Sequence, residues 1–168
     1  AQIAKWLHET DPSCHVVFIG PCIAKKAETK YTKTKEFVDY TITFEEMQAM
    51  FSARGIDVTK MEKAELDNAS FFARCGGLAT AVEQALREQG VTPEEFTLKA
   101  TSCNGIAECR TALLKAQKGV LPENFIEGMA CEGGCIGGPA CLSHSSKNAA
   151  QVDAYGRSSM EQTISDAI

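Results

Sequence analysis

The chain has 168 residues, with 17 Lys and Arg against 22 Asp and Glu, a formal charge of −5 and 44% hydrophobic content. Such a chain is long enough to bury a core and too apolar to be disordered, and its acidic balance argues against a nucleic-acid surface. Its longest purely apolar stretch, residues 16–19, is far below the roughly 18 residues of a membrane span.

Residues 2–9, Gln-Ile-Ala-Lys-Trp-Leu-His-Glu, read as a helix stopped at Asp11-Pro12, with Ile3, Trp6 and Leu7 as its packing face. The opening has no signal-peptide pattern and looks like a cut inside a longer protein. Residues 15–19 form a β-branched and aromatic run ending at Gly20-Pro21, read as a buried strand entering a loop. Residues 25–36 are charged and read as surface. A second strand is expected over 40–43. Thr43 and Glu46 then form a capping box ahead of a helix carrying Phe44, Met47, Met50 and Phe51, with Gly55 as its stop. Residues 57–70 read as a loop.

Gly76-Gly77 opens a helix over 78–89, ended by Gly90. Thr92-Pro93-Glu94-Glu95 has the composition of a helix start. Strands are expected over 98–103 and 125–129, with a helix over 106–118 between them and a final helix around 159–167. Strands alternating with helices imply an α/β fold, a roughly four-stranded, mainly parallel sheet with helices on both faces. Ligands in such sheets gather beyond the carboxyl ends of the strands. Cys22, Cys103, and Cys131 with Cys135 lie at or after three of the four expected strands, which predicts one cysteine-bearing rim.

Eight cysteines in 168 residues fall below the roughly 8–10% typical of a disulfide scaffold. Reduced thiols serving a metal or redox centre are the first reading. In Met129-Ala130-Cys131-Glu132-Gly133-Gly134-Cys135, two cysteines four apart lie in a glycine-rich turn that cannot be a stable helix. Its backbone N–H groups could approach a bulky sulfur-bearing ligand closely. Two small buried hydrophobes, or half of a zinc site, are the competing readings. In Pro21-Cys22-Ile23-Ala24-Lys25-Lys26-Ala27-Glu28, a thiol precedes a cation by three residues and a carboxylate by six. That arrangement fits either a site with a supporting ion pair or a solvated face.

Taken together, the two segments resemble the second and third cluster signatures of [FeFe]-hydrogenases, P-C-x-x-K-x-x-E and M-A-C-x-x-G-C-x-x-G-G. Residues 72–77, Phe-Ala-Arg-Cys-Gly-Gly, resemble that family's F-G-x-T-G-G segment, and the likeness runs from about residue 15 to the tail. The resemblance implies that the chain is one lobe of the hydrogenase catalytic domain. It would be a single α/β domain over residues 1–168, the C-terminal part with its upstream part absent. It implies Cys22, Cys131 and Cys135 as ligands of a [4Fe–4S] cubane, with Pro21 and Gly134 beside them. Cys135 would bridge to a two-iron subsite carrying CO, cyanide and an azadithiolate. Lys25 would hydrogen-bond a cyanide, Glu28 would support it, and Met129 and Phe72 would line the pocket.

The family's first signature, T-S-C-C-P, is absent, and with it the remaining cubane ligand and a proton-passing cysteine. Thr101-Ser102-Cys103 lacks the following Cys-Pro and is not taken as a substitute. Gly20 stands where catalytic members carry Met, Pro139 interrupts the final glycines, and Cys75 replaces a Thr. These departures resemble divergent, sensory branches of the family. The parent is therefore expected to interconvert or sense hydrogen, and the isolated chain to be inactive with its cofactor absent or incomplete. A non-catalytic relative in cytosolic iron–sulfur assembly is the alternative, disfavoured by the retained Lys25 and Glu28. Expected partners are a ferredoxin or accessory iron–sulfur domains and maturation proteins, with no nucleic acid and no membrane span, in the cytoplasm. Cys14, Cys75, Cys103, Cys109 and Cys141 are expected only to pack.

Overall fold

A computed structural model of the chain describes residues 2–31, 33, 35–62, 73–158 and 163. It divides into two compact units, Ala1–Glu62 with Gly138–Ser143, and Lys63–Gly137 with His144–Ile168.

The first unit holds α1 (Gln2–Thr10), β1 (Val17–Gly20), α2 (Ala24–Glu28), β2 (Tyr40–Thr43) and α3 (Phe44–Ala53), followed by a 3-10 turn at Val58–Lys60. Strands β1 and β2 pair in parallel, in register from Val17↔Tyr40 to Gly20↔Thr43. The pairing is extended backward by Asp39, whose backbone N–H donates to the Val16 carbonyl at 2.9 Å. Its carboxylate accepts the Val16 N–H at 2.6 Å. At the other end of β2 the expected capping box is present. Thr43 Oγ1 accepts the Glu46 N–H at 3.2 Å, and Glu46 Oε2 accepts the Thr43 N–H at 2.9 Å. Thr43 is itself buried, so the strand hands the chain to the helix inside the unit's core.

The second unit holds α4 (Gly77–Glu88), β3 (Ala100–Asn104), α5 (Ile106–Gln117), β4 (Phe125–Met129), a 3-10 turn at Cys135–Gly137 and α6 (Asn148–Arg157). Strands β3 and β4 are parallel, from Ala100↔Phe125 to Asn104↔Met129. Both α4 and α5 pack against this pair. Their placement follows from the pleat. Glu127 accepts N–H groups at the start of α4 and the hydroxyl of its register partner Ser102, whereas the next pair, Cys103 and Gly128, lies against Cys109 of α5. Successive residues of a strand point to opposite faces, so the two helices cover opposite faces.

The α/β class, the parallel pairing and the positions of all four strands agree with the sequence expectation. Among the described residues the strands make two two-stranded sheets rather than one. Of the expected cysteine rim, the strand end before Cys22 belongs to the first unit and the ends of β3 and β4 to the second. Among the described residues only β2 pairs with β1, and β1 is not the buried strand expected; Val17, Phe18 and Ile19 are 41%, 36% and 48% exposed. Trp6 and Ile3 of α1 are also exposed rather than packed. Residues 92–97 form a turn, not a helix. Glu95 caps the Thr92 N–H at 2.9 Å, but one turn gives too few hydrogen bonds to propagate. Helices α2 and α6 are additions to the expected elements, both too polar in composition to show an apolar face. The helix expected around 159–167 lies outside the described residues apart from Thr163.

Candidate functional site

In the second unit, β4 delivers the chain to the cysteine turn. The carbonyl of Met129, its last residue, accepts the Gly105 N–H at 2.8 Å, tying the end of β4 to the start of α5. From there residues 131–137 fold back on residues 73–75. Ile136 donates its N–H to the Ala73 carbonyl at 3.0 Å, and Arg74 forms an antiparallel bridge with Gly134. Gly134 has φ +82°, and a Cβ there would lie 2.6 Å from the Cys75 backbone nitrogen. Only glycine satisfies both the left-handed backbone and that approach. Cys131 is half-buried and Cys135 exposed, on either side of this buried glycine.

The expectation that the turn's N–H groups are turned toward a ligand is not met at four positions. Gly133 donates to Asn104 Oδ1 at 2.5 Å, and Gly134 to the Cys131 carbonyl at 3.0 Å. Ile136 is engaged with Ala73, and Gly137 with the Gly134 carbonyl at 3.0 Å. The glycines here build the turn and its docking onto residues 73–75, because each donor close to the chain reversal finds a nearer internal acceptor.

In the first unit, Pro21 and Cys22 follow β1 directly and are half-buried. The Pro21 carbonyl accepts the Ala140 N–H at 3.4 Å, which holds the segment against buried Ala140 and Cys141. Lys25 and Glu28 sit one turn apart on α2 and form an ion pair. The neighbouring Lys26 reaches both carboxylate oxygens of Glu46, at 2.6 and 2.8 Å. That bond, more than any other, holds Glu46 below the ordinary glutamate range.

Among the expected site residues, the structure thus joins Lys25 to Glu28 and places Met129, Cys131, Gly134 and Cys135 along one strand end and turn. Pro21, Cys22, Lys25 and Glu28 belong to one unit and the other four to the second. Phe72 lies outside the described residues. Among the described residues, no three His, Cys, Asp or Glu side chains converge at metal-binding distance. The donor chemistry of Cys131 and Cys135 in the second unit, and of Cys22 in the first, fits iron–sulfur ligation, which takes soft thiolates.

Sequence reasoning missed the residue that organises the second unit. Glu127 is 1% exposed. Its carboxylate accepts the N–H groups of Gly76 at 3.0 Å, Leu78 at 3.4 Å and Ala79 at 3.0 Å, and the Ser102 hydroxyl at 3.2 Å. The acid on β4 therefore caps α4 across the sheet, satisfying donors that a helix start leaves open. The signal was a lone acid inside an otherwise apolar strand two residues before Met129. Beside it, burial pushes the Cys75 thiol up, and the charge of Glu127 adds to the effect. Arg74, next to Cys75, is anchored to Asp153 of α6 by a 2.5 Å ion pair.

Residues 1–139 match the family described as iron only hydrogenase large subunit, C-terminal domain. The chain is 30% identical over 159 residues to the periplasmic [Fe] hydrogenase large subunit of Nitratidesulfovibrio vulgaris, covering 74% of this chain and 38% of that protein. A variant of [FeFe]-hydrogenase HydA1 from Chlamydomonas reinhardtii superposes with a TM-score of 0.65 at 18% identity, over 96% of this chain and 58% of that one. HydA(deltaEFG), studied for stepwise H-cluster assembly, gives 0.64 at 19% identity over 92% and 56%. At these identities the structural likeness shows the fold, and the chain spans little more than half the length of these solved relatives. The sequence match carries the family: the chain belongs to the iron-only hydrogenases, as the C-terminal domain of a large subunit.

Proposed function

We propose that this chain is the C-terminal active-site part of an [FeFe]-hydrogenase whose full-length form interconverts protons, electrons and dihydrogen. The carrying observation is the turn built around Gly134 with Cys131 and Cys135 on its two sides, in a chain whose family match spans both cysteine signatures. In this reading Cys22, Cys131 and Cys135 hold a [4Fe–4S] cubane, with Pro21 and Gly134 shaping the backbone beside them. A linked two-iron unit with CO, cyanide and an azadithiolate supplies the hydrogen chemistry when bound. Lys25 presents its ammonium to that unit, and its ion pair with Glu28 fixes the direction of the side chain. Met129 and Phe72 keep water from the pocket.

The 168 residues contain no T-S-C-C-P segment to provide the remaining thiolate. We therefore assign turnover to the full-length parent and an inactive scaffold to the isolated chain. The departures at Gly20, Cys75 and Pro139 favour hydrogen sensing over rapid turnover in that parent. A ferredoxin or accessory iron–sulfur domain serves as electron partner, and maturation proteins deliver the two-iron unit. No helix among the described residues is long and apolar enough to cross a membrane. The cytoplasm, which keeps thiols reduced, is the proposed compartment, and cell fractionation tests it.

Infrared spectra of the matured parent test the central reading. CO and cyanide bands that vanish in the Cys135→Ser variant support it, and their absence after complete maturation refutes it. Iron and sulfide analysis of the isolated chain after anaerobic reconstitution tests the scaffold assignment. A stable, stoichiometric cubane would overturn that part alone.

A further inference from the structure

Two cysteines outside the cluster signatures are brought together by the β3–α5–β4 fold. Cys103 and Gly128 are register partners on parallel strands, so their side-chain positions share one face of the sheet. A Cβ built on Gly128 would lie 3.2 Å from the sulfur of Cys109. The Cys109 sulfur therefore sits in van der Waals reach of the position a side chain at 128 would take, over the sheet face that also carries the side chain of Cys103. Its other neighbours are the Met129 carbonyl oxygen at 3.6 Å and the Cys103 carbonyl oxygen at 3.9 Å. Cys103 is 4% exposed, yet it lines an open groove of about 320 Å³ with Ala107, Glu108, Thr111 and Lys115. Cys109 is half-buried.

We propose that Cys103 and Cys109 form a modifiable dithiol, which a small hydroperoxide oxidises to an intramolecular disulfide linking β3 to α5. Cys109 is half-buried whereas Cys103 is almost fully enclosed, so Cys109 is the first sulfur to react, and burial, with Cys109 and Glu108 beside it, pushes the Cys103 thiol up. The Cys109 sulfur attacks the O–O bond of hydrogen peroxide, giving a sulfenic acid and one water. Cys103 then displaces the sulfenic oxygen as a second water, its proton leaving with that oxygen. Two thiols lose two electrons in all, and one peroxide is reduced to two waters. The new bond acts close to the cluster turn, because Met129, whose carbonyl Cys109 touches, precedes Cys131 by two residues. The inference does not rest on the cluster reading.

Trypsin gives a direct test, since Lys99 and Arg110 bracket a peptide, residues 100–110, holding these two cysteines and no other. The reduced 168-residue chain is treated anaerobically with hydrogen peroxide, alkylated with iodoacetamide, digested and weighed. The expected peptide is lighter than the dithiol form by two hydrogens, carries no alkyl group, and becomes doubly alkylated after dithiothreitol. In Cys103→Ser, dimedone is expected to trap a sulfenic acid on Cys109. The proposal is overturned if both cysteines remain alkylatable after peroxide, if either is recovered linked to a peptide containing Cys75, or if dimedone marks Cys75 instead of Cys109.

Discussion

Replacing Glu127 by alanine is expected to cost about 3 kcal/mol of stability in the second unit, through a mechanism the geometry makes specific. The carboxylate is 1% exposed and receives close N–H donors from Gly76 and Ala79, a longer one from Leu78, and the Ser102 hydroxyl. A hydrogen bond to a charged group contributes about 1.5–3 kcal/mol, and a buried donor left unsatisfied costs about 1–3 kcal/mol. Counting the Gly76 and Ala79 bonds near the low end, and the Leu78 contact at nothing, gives about 3 kcal/mol. Relief of the buried charge offsets the lost Ser102 bond and part of the lost helix-dipole interaction. Glu127→Gln keeps the volume but turns an amide donor toward N–H donors, so about half the loss is expected. Hydrogen exchange read at the amides of residues 76–79 isolates the effect, with protection falling about 100-fold in Glu127→Ala, where a factor of ten corresponds to about 1.4 kcal/mol. Urea unfolding should show the same order of loss. An alanine variant within about 1 kcal/mol of the parent protein, or a glutamine variant worse than alanine, would refute the reasoning.

Gly134→Ala combines a left-handed backbone with a Cβ 2.6 Å from the Cys75 nitrogen, and is expected to lose about 2–4 kcal/mol in thermal unfolding. Gly133→Ala, also left-handed at φ +85° but with nothing nearer than 3.8 Å, should lose only about 1–2 kcal/mol; equal losses would count against the close packing of the turn. Because Lys26 and the Thr43 N–H hold Glu46 below its ordinary range, its contribution is present above the unfolded-state value of 4.5 and fades as pH falls through the folded-state value. Glu46→Gln should flatten acid unfolding in that window, and an unchanged profile would contradict the assignment. The Cys103 thiol is raised above 9.0 by burial, so its contribution is present below that value and lost as pH rises through its folded-state range. Urea midpoints at pH 8 and 10 should therefore converge in Cys103→Ala; an unchanged gap between them would refute the assignment.

Local chemistry alone determined much of this protein. The expected strands over 40–43 and 125–129 formed with those bounds, and Thr43 with Glu46 became a capping box, because each depends on neighbours a few residues away. The two cysteine signatures were legible for the same reason, since each lies within about ten consecutive residues. Sequence likeness then added the family, which no count of periodicity could supply.

Contacts across tens of residues were decided only by the tertiary structure. Nothing local tells the strands which partner to take, since pairing depends on which helices cover each face. Glu127 reads in sequence as a charged interruption of a strand. It becomes a helix cap only when β4 lies beside β3 and the first turn of α4 descends on the pair. Cys103 and Cys109 likewise read as scattered thiols until Gly128 pairs with Cys103 and the Cys109 sulfur lies over that face of the sheet. The sequence carries the residues for both arrangements, but their meaning depends on burial and strand register, which exist only once the chain has folded.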